Sequence, residues 1–410
     1  MNGGQILDGQ QLQGRWMTDG GKRSKQRLNQ QLRRQYQQNE GSKGVRYRSA
    51  FEKDFPPDDE DRIHRFVKSL RRPYEYQTQP NMPYDIYDCP PTPPPQYPMD
   101  WNVMEVIGHW NPANTTDPPV IHQGLCVFEY GTDLAKAKAY QRAEVPFLLR
   151  NTPEILRTAE RWNRDPAYLS KLIGQKPSKV EHSTNVHFMY FKLGKGKRGG
   201  GHMNIPPGWK PPMDITQLSY DEWIAKAKTL TKDEVDHERW YFRLNGLYEP
   251  SAGIETNSFL YDELPIFRAN EPSLFMVDPD QQRGINCRFG MKGVIAETHY
   301  DESRNFITLL GGQRRYILAH PRECKHMCLY PFGHPSARHS SVDWTNPNLE
   351  DNPEFAKGRV NEVVLQAGDA MYLPTYWLHF IVSLNINYQC NARSGTTYEY
   401  KSHIHDCGFR

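Results

Sequence analysis

The sequence holds 410 residues, with 51 Lys and Arg against 48 Asp and Glu, for a net charge of +3. So even a balance excludes a surface built throughout for duplex nucleic acid. Only 37% of the residues are hydrophobic and 32 are proline, with a mean hydropathy of −0.81, so part of the chain is expected to lie outside any packed core. The seven cysteines are odd in number and irregularly spaced, which does not read as a disulfide framework and fits a reducing compartment. The first thirty residues lack the apolar run of a signal peptide, and no stretch approaches a membrane span. The expectation is a soluble cytoplasmic or nuclear protein without membrane contact, its oligomeric state left open.

Residues 1–100 are rich in Gln, Asn, Arg, Asp and Pro and end in the cluster Cys89-Pro90-Pro91-Thr92-Pro93-Pro94-Pro95. They read as a disordered basic tail and linker. Lys22, Arg23, Lys25, Arg27, Arg33 and Arg34 form a basic run inside it, a possible nucleic-acid contact whose plainer reading is a solvated tail. From Trp101 the texture becomes that of a folded domain, 101–410, with a helical part over 101–234, a β core over 235–395 and an extension over 396–410. Thr152-Pro153-Glu154 predicts a helix start ahead of Ile155, Ala159 and Trp162. Ser219 and Glu222 form a capping box before Trp223 and Ala227.

After residue 235 eight short β-rich runs follow: 239–244, 285–289, 293–298, 306–310, 315–319, 363–366, 370–373 and 377–387. Broken by Gly, Pro and Asn, they predict a sandwich or barrel, mainly β with flanking helices, rather than βαβ units. The connection over 321–360 is too long for a plain hairpin and is expected to carry function.

Thr298-His299-Tyr300-Asp301 places an imidazole and a carboxylate two residues apart, so on a strand both face one side. His379 lies in a late apolar strand. Two histidines and a carboxylate can hold one face of iron(II) and leave the other open. Taken alone, His-x-Asp is a weak signal in a chain with 15 histidines, and a single histidine in an apolar strand is more often a satisfied core residue. Two further groups, His320, Cys324, His326 and Cys328, and His403, His405 and Cys407, lack paired Cys-x-x-Cys spacing and read poorly as zinc sites.

The run His299-Tyr300-Asp301-Glu302-Ser303-Arg304-Asn305-Phe306, then Gly311-Gly312-Gln313-Arg314-Arg315-Tyr316, resembles the metal-binding half of the jumonji C, cupin-like oxygenases. Cys328-Leu329-Tyr330-Pro331, Val342-Asp343-Trp344-Thr345-Asn346-Pro347 and Ala367-Gly368-Asp369-Ala370-Met371-Tyr372-Leu373-Pro374 extend the likeness toward the asparaginyl-hydroxylase branch typified by factor inhibiting hypoxia-inducible factor. The resemblance implies a double-stranded β-helix (jelly-roll) core. It implies Fe(II), held by His299, Asp301 and His379, with 2-oxoglutarate and O2 as cosubstrates. The far carboxylate of 2-oxoglutarate would be gripped by Arg314, where this branch has a lysine, and by Tyr241. Asn305 and Asn391 match positions near its metal-bound carboxylate. Ala296 stands where the branch commonly has a hydroxyl, with Thr298 as a conjectural substitute, and Trp377 and Ile381 would exclude water.

What the resemblance implies for function is a dioxygenase that hydroxylates a protein side chain, with a protein or peptide as partner. Lysine demethylation and base hydroxylation are the other enzymatic readings. The basic tail is the sequence's only support for nucleic acid. A non-catalytic cupin module is the reading from outside enzymology, and the complete triad argues against it.

Overall fold

The computed structural model describes residues 59–409 apart from 78–81, 117, 119, 193–203, 231–237, 250–253 and 269–270. The basic run Lys22 to Arg34 lies outside the described residues. Ten strands frame the site: β1 (Ser178–Ser183), β2 (Arg239–Glu249), β3 (Gln282–Gly290), β4 (Ile295–Tyr300), β5 (Asn305–Gly311), β6 (Gln313–Ala319), β7 (Arg359–Gln366), β8 (Ala370–Leu373), β9 (Leu378–Ser383) and β10 (Asn387–Ser394). A ten-stranded sheet carries them in the order β8-β5-β10-β3-β2-β1, and a six-stranded sheet in the order β7-β6-β9-β4. Every pairing within these two series is antiparallel. This is the expected jelly-roll, mainly β with helices at its flanks.

Strands β5, β6, β8 and β9 are buried along their whole length, which is why β5, β8 and β9 read as largely apolar runs rather than alternating ones, while β6 opens on the buried polar residues Gln313, Arg314 and Arg315. The chain crosses from the larger sheet to the smaller between β5 and β6 at Gly312. Its φ is +68°, and a Cβ there would sit 2.1 Å from the Ile386 carbonyl oxygen, so only glycine fits this corner. Asn385 accepts the Gln313 amide beside it at 2.8 Å. That turn divides the predicted run 377–387: β9 ends at Ser383, and a separate strand, β10, begins at Asn387.

The described residues within 60–100, a stretch read from composition as linker, are folded. Helix α1 (Glu60–Ser69) is capped by Asp59, which accepts the Arg62 amide at 3.0 Å. Its Ile63 and Val67 pack on Leu156 and Ala159 of helix α2 (Pro153–Arg164). Burial contributes about 2 kcal/mol for each of Ile63, Val67 and Leu156 and about 1 kcal/mol for Ala159, and Glu160 of α2 binds Arg62 of α1. Ile86, Cys89 and Tyr97 are also buried. Low overall hydropathy concealed this because the apolar residues here are few and well placed. The two predicted helices form as expected, α2 with its leading proline and α3 (Tyr220–Thr229) with the Ser219–Glu222 capping box.

The cysteines depart furthest from expectation. Six of the seven pair as Cys89–Cys126, Cys287–Cys390 and Cys324–Cys407, leaving Cys328 as the free thiol. The partners are 37, 103 and 83 residues apart, so no local spacing announces them. The pairing removes the sequence's reason for favouring a reducing compartment. It also takes the sulfurs of Cys324 and Cys407 out of any zinc site. No helix among the described residues is long and apolar enough to cross a membrane.

Candidate metal centre and its cavity

Between the two sheets lies a cavity of about 420 Å³. The smaller sheet supplies its metal end. His299 of β4 stands opposite His379 of β9, just past a β-bulge between Ala296 and His299. The bulge lets residues three apart both face inward. Asp301 follows the end of β4, its carbonyl accepting the Tyr376 amide at 2.8 Å. One ligand atom from each of His299, Asp301 and His379 lies within 4.8 Å of the others, so the sequence-distant His379 does join the His-x-Asp pair.

The donor set fits a divalent metal. His299 Nδ1 lies 2.7 Å from the Glu297 carbonyl and His379 Nδ1 lies 3.0 Å from the Trp377 carbonyl. Donation of Nδ1–H to those carbonyls leaves each Nε2 lone pair for a metal. Burial, reinforced by His379 and His339, holds the His299 imidazole well below its ordinary value. Burial likewise lowers His379, with Asp301 only partly offsetting it. Both rings are therefore neutral, the form that coordinates. Burial opposes the charge on Asp301, but Arg393 beside it wins and holds its carboxyl well below the carboxylate range. A site with three protein donors and open space beside them is the arrangement of a reactive centre rather than a closed structural one.

From Asp301 a chain of amides runs across the larger sheet. Asn305 Nδ2 donates to Asp301 at 3.4 Å, Asn391 Nδ2 donates to Asn305 at 2.8 Å, and Gln389 Nε2 donates to Asn391 at 3.2 Å. Gln389 Oε1 in turn accepts from Tyr316 at 2.7 Å and from Arg314. Arg314 also donates to Tyr241 at 3.0 Å, to the Arg288 carbonyl at 2.9 Å and to Asn387. All these partners are neutral. The structure thus brings Tyr241, Asn305 and Asn391 to the cavity wall and sets Arg314, fully buried, immediately behind Tyr241 and Gln389.

Other expectations fare differently. Ala296 and Ile381 line the cavity. Thr298 is buried with its hydroxyl unpartnered and is absent from the lining, so it does not replace the missing hydroxyl at 296. Trp377 packs on His320 and Tyr400 rather than on the cavity. The long connection over 321–360 does contribute, through Arg338 and His339, which sequence reading did not single out. His339 stacks on His299 at 4.9 Å, and burial together with Arg338 pulls it down to about 4. Arg243, Arg288 and Arg393 were also missed. Their alternation with buried neighbours such as Phe242, Phe289 and Ala392 was the available signal, since strand period two turns them inward.

A model of the cupin-like domain family matches residues 134–395. The chain belongs to this family. Its relatives include the tRNA wybutosine-synthesizing protein 5 of Gallus gallus, 31% identical over 250 residues covering 57% of this chain and 67% of that protein. The Danio rerio protein of the same name is 28% identical, covering 48% and 60%. Lysine-specific demethylase JMJ31 of Arabidopsis thaliana is 29% identical, covering 32% of this chain and 25% of the relative. The cupin-like domain is therefore of the JmjC type, while this chain spans under two thirds of the zebrafish and Arabidopsis relatives. These relatives do not single out the asparaginyl-hydroxylase branch.

Proposed function

We propose that this cupin-like protein is an Fe(II)- and 2-oxoglutarate-dependent oxygenase that hydroxylates a C–H bond of its substrate. The observation that supports it most is the convergence of His299, Asp301 and His379 on one end of a cavity, both imidazoles held neutral with Nε2 free. When bound, the ferrous ion and the 2-oxoacid would supply oxygen activation coupled to decarboxylation of 2-oxoglutarate to succinate. The protein's part is to bind, orient and exclude water.

Asp301 stays charged because Arg393 faces it, and Asn305 steadies the same carboxylate. Asn305 and Asn391 offer amide groups for the metal-bound carboxylate of the cosubstrate without adding charge. Arg314 and Tyr241 suit the far carboxylate: Arg314 is a buried guanidinium whose partners are all neutral, a state that favours arrival of an anion. Phe188, Ala296 and Ile381 keep the adjoining wall apolar.

Purified protein supplied with Fe(II), 2-oxoglutarate and O2 is expected to release succinate, and His299→Ala to release none. If wild type and variant bind no ferrous ion and are equally silent, the proposal fails and a non-catalytic cupin module takes its place. Protein side-chain hydroxylation rests on the sequence resemblance alone, and the relatives' names divide between tRNA and lysine chemistry. The charge of the cavity favours one side of that division.

A further inference from the structure

Six cations line the cavity: Lys192, Arg243, Arg283, Arg288, Arg338 and Arg393, against only Glu181 and Asp301. Both carboxylates are already taken, Glu181 by Arg243 and Asp301 by Arg393. Lys192, Arg283, Arg288 and Arg338 form no salt bridge among the described residues, Arg288 feeling Glu181 and Arg338 feeling Asp301 only at longer range. Arg288 shows what that costs: burial first, then Arg243 beside it, pull its guanidinium down to about 9. A ferrous ion and a doubly charged 2-oxoacid cancel each other, so loading the site as proposed leaves the four positive charges uncompensated. A cationic lysine substrate would add to this repulsion.

The rim adds rings to the charge. Tyr190, 39% exposed, lines the cavity two residues from Lys192. The Lys192 amide donates to the Pro335 carbonyl at 3.0 Å, joining this segment to the connection that carries Arg338. Behind them Phe191 meets Trp209 at 5.8 Å, and His334 stacks on Tyr330 at 4.1 Å. Cations alone would suit an acidic peptide. Cations interleaved with an exposed ring suit phosphates and unstacked bases together.

We infer that the substrate of this site is a single-stranded nucleic acid, its phosphates met by Lys192, Arg283 and Arg338 at the mouth and a base presented toward the metal end. This rests on the oxygenase reading for the chemistry but not for the binding. Fluorescence anisotropy of the metal-loaded full chain tests it, using labelled single-stranded RNA and DNA oligonucleotides, a glutamate-rich peptide and a lysine-rich peptide. The oligonucleotides are expected to bind best, with affinity falling steeply as salt rises. The pair Lys192→Glu and Arg283→Glu, checked for folding by thermal melting, should weaken that binding at least tenfold and flatten the salt dependence by about two contacts.

Undiminished oligonucleotide binding by the double variant overturns the inference, because it would assign the binding to the basic tail or another face. Tighter binding of either peptide overturns it as well. Calorimetry of 2-oxoglutarate with the same metal-loaded preparations separates the two readings. Cosubstrate binding without oligonucleotide binding sinks this inference alone, and the reverse sinks the oxygenase reading alone.

Discussion

The two walls of the cavity divide the labour unequally. The smaller sheet brings His299, His379, Ala296, Tyr316 and Ile381, two neutral imidazoles among largely apolar groups. The larger sheet brings Glu181, Arg243, Asn286, Arg288, Asn305, Gln389, Asn391 and Arg393, nearly all polar or charged. Metal ligation needs deprotonated, well-oriented donors, which burial among apolar neighbours provides. Anion recognition needs charge, which the same burial would penalise unless a ligand shares it. Placing the two on facing sheets lets each have its own dielectric surroundings, with Asp301, gripped by Asn305 and Arg393, as the tie between them.

The largest effect should come from the metal wall. Asp301→Ala leaves Arg393 without its partner and the site without its anionic ligand. Metal content measured after dialysis against Fe(II) should drop to background, with succinate release undetectable. A variant that retains stoichiometric iron would place the ligand elsewhere.

Two arginines, Arg314 on β6 of the smaller sheet and Arg288 on β3 of the larger, should respond with opposite signs. Arg314→Leu strands acceptors on Tyr241 and Asn387, at a cost of about 1–3 kcal/mol for each group left unpaired, so its melting temperature should fall sharply. Arg288→Leu removes a guanidinium crowded by Arg243, and its melting temperature should hold or rise. Calorimetry of 2-oxoglutarate on Arg314→Lys should show binding weakened about tenfold through loss of the guanidinium fork. Unchanged binding there, with binding lost in Arg288→Leu, would transfer the carboxylate grip to Arg288.

A smaller change tests the link between the walls. Asn391→Ala deprives Asn305 of its donor and interrupts the amide series, which should cost about 1–2 kcal/mol in urea unfolding and reduce turnover more than iron binding. Equal losses in the two readouts would make Asn391 a matter of folding only.

The smallest effect concerns pH. Burial disfavours charge on His187, but its hydrogen bond to Glu297 and that carboxylate's charge outweigh it and raise the imidazole. Burial raises Glu297, with His187 opposing. Both groups hold protons more tightly folded than unfolded, so their contribution is full at acid pH and is lost as pH climbs through their raised values. Melting temperatures of the metal-free protein from about pH 6 to about pH 8 should fall less steeply in His187→Gln than in wild type.

Sequence made the metal wall legible because ligands two residues apart on a strand share a face, and ordered motifs carried His379 to the same place. The charged wall was harder to see. Arg243, Arg288 and Arg393 sit on three strands whose neighbours are fixed only by the sheet order, and no local pattern tells that they meet. Residues 60–100 hid for another reason: a ten-residue helix and a few buried side chains make little mark on composition. Arg338 and His339 fell between, in a connection flagged by its length but silent about which residues it would deliver. The cysteine pairs were illegible outright, since each partner lies dozens of residues away.

Those pairs bear on how the protein should be handled. Cys287 and Cys390 join β3 to β10, the strands that carry Arg288 on one side and Gln389 and Asn391 on the other. Oxygenase assays that keep iron ferrous with a thiol reductant would attack these bonds, Cys324–Cys407 first, because Cys407 is partly exposed. Ascorbate spares them. A preparation from a reducing bacterial cytosol should titrate with up to seven thiols where the oxidised protein shows one, and silence from such material would report on its history as much as on its chemistry.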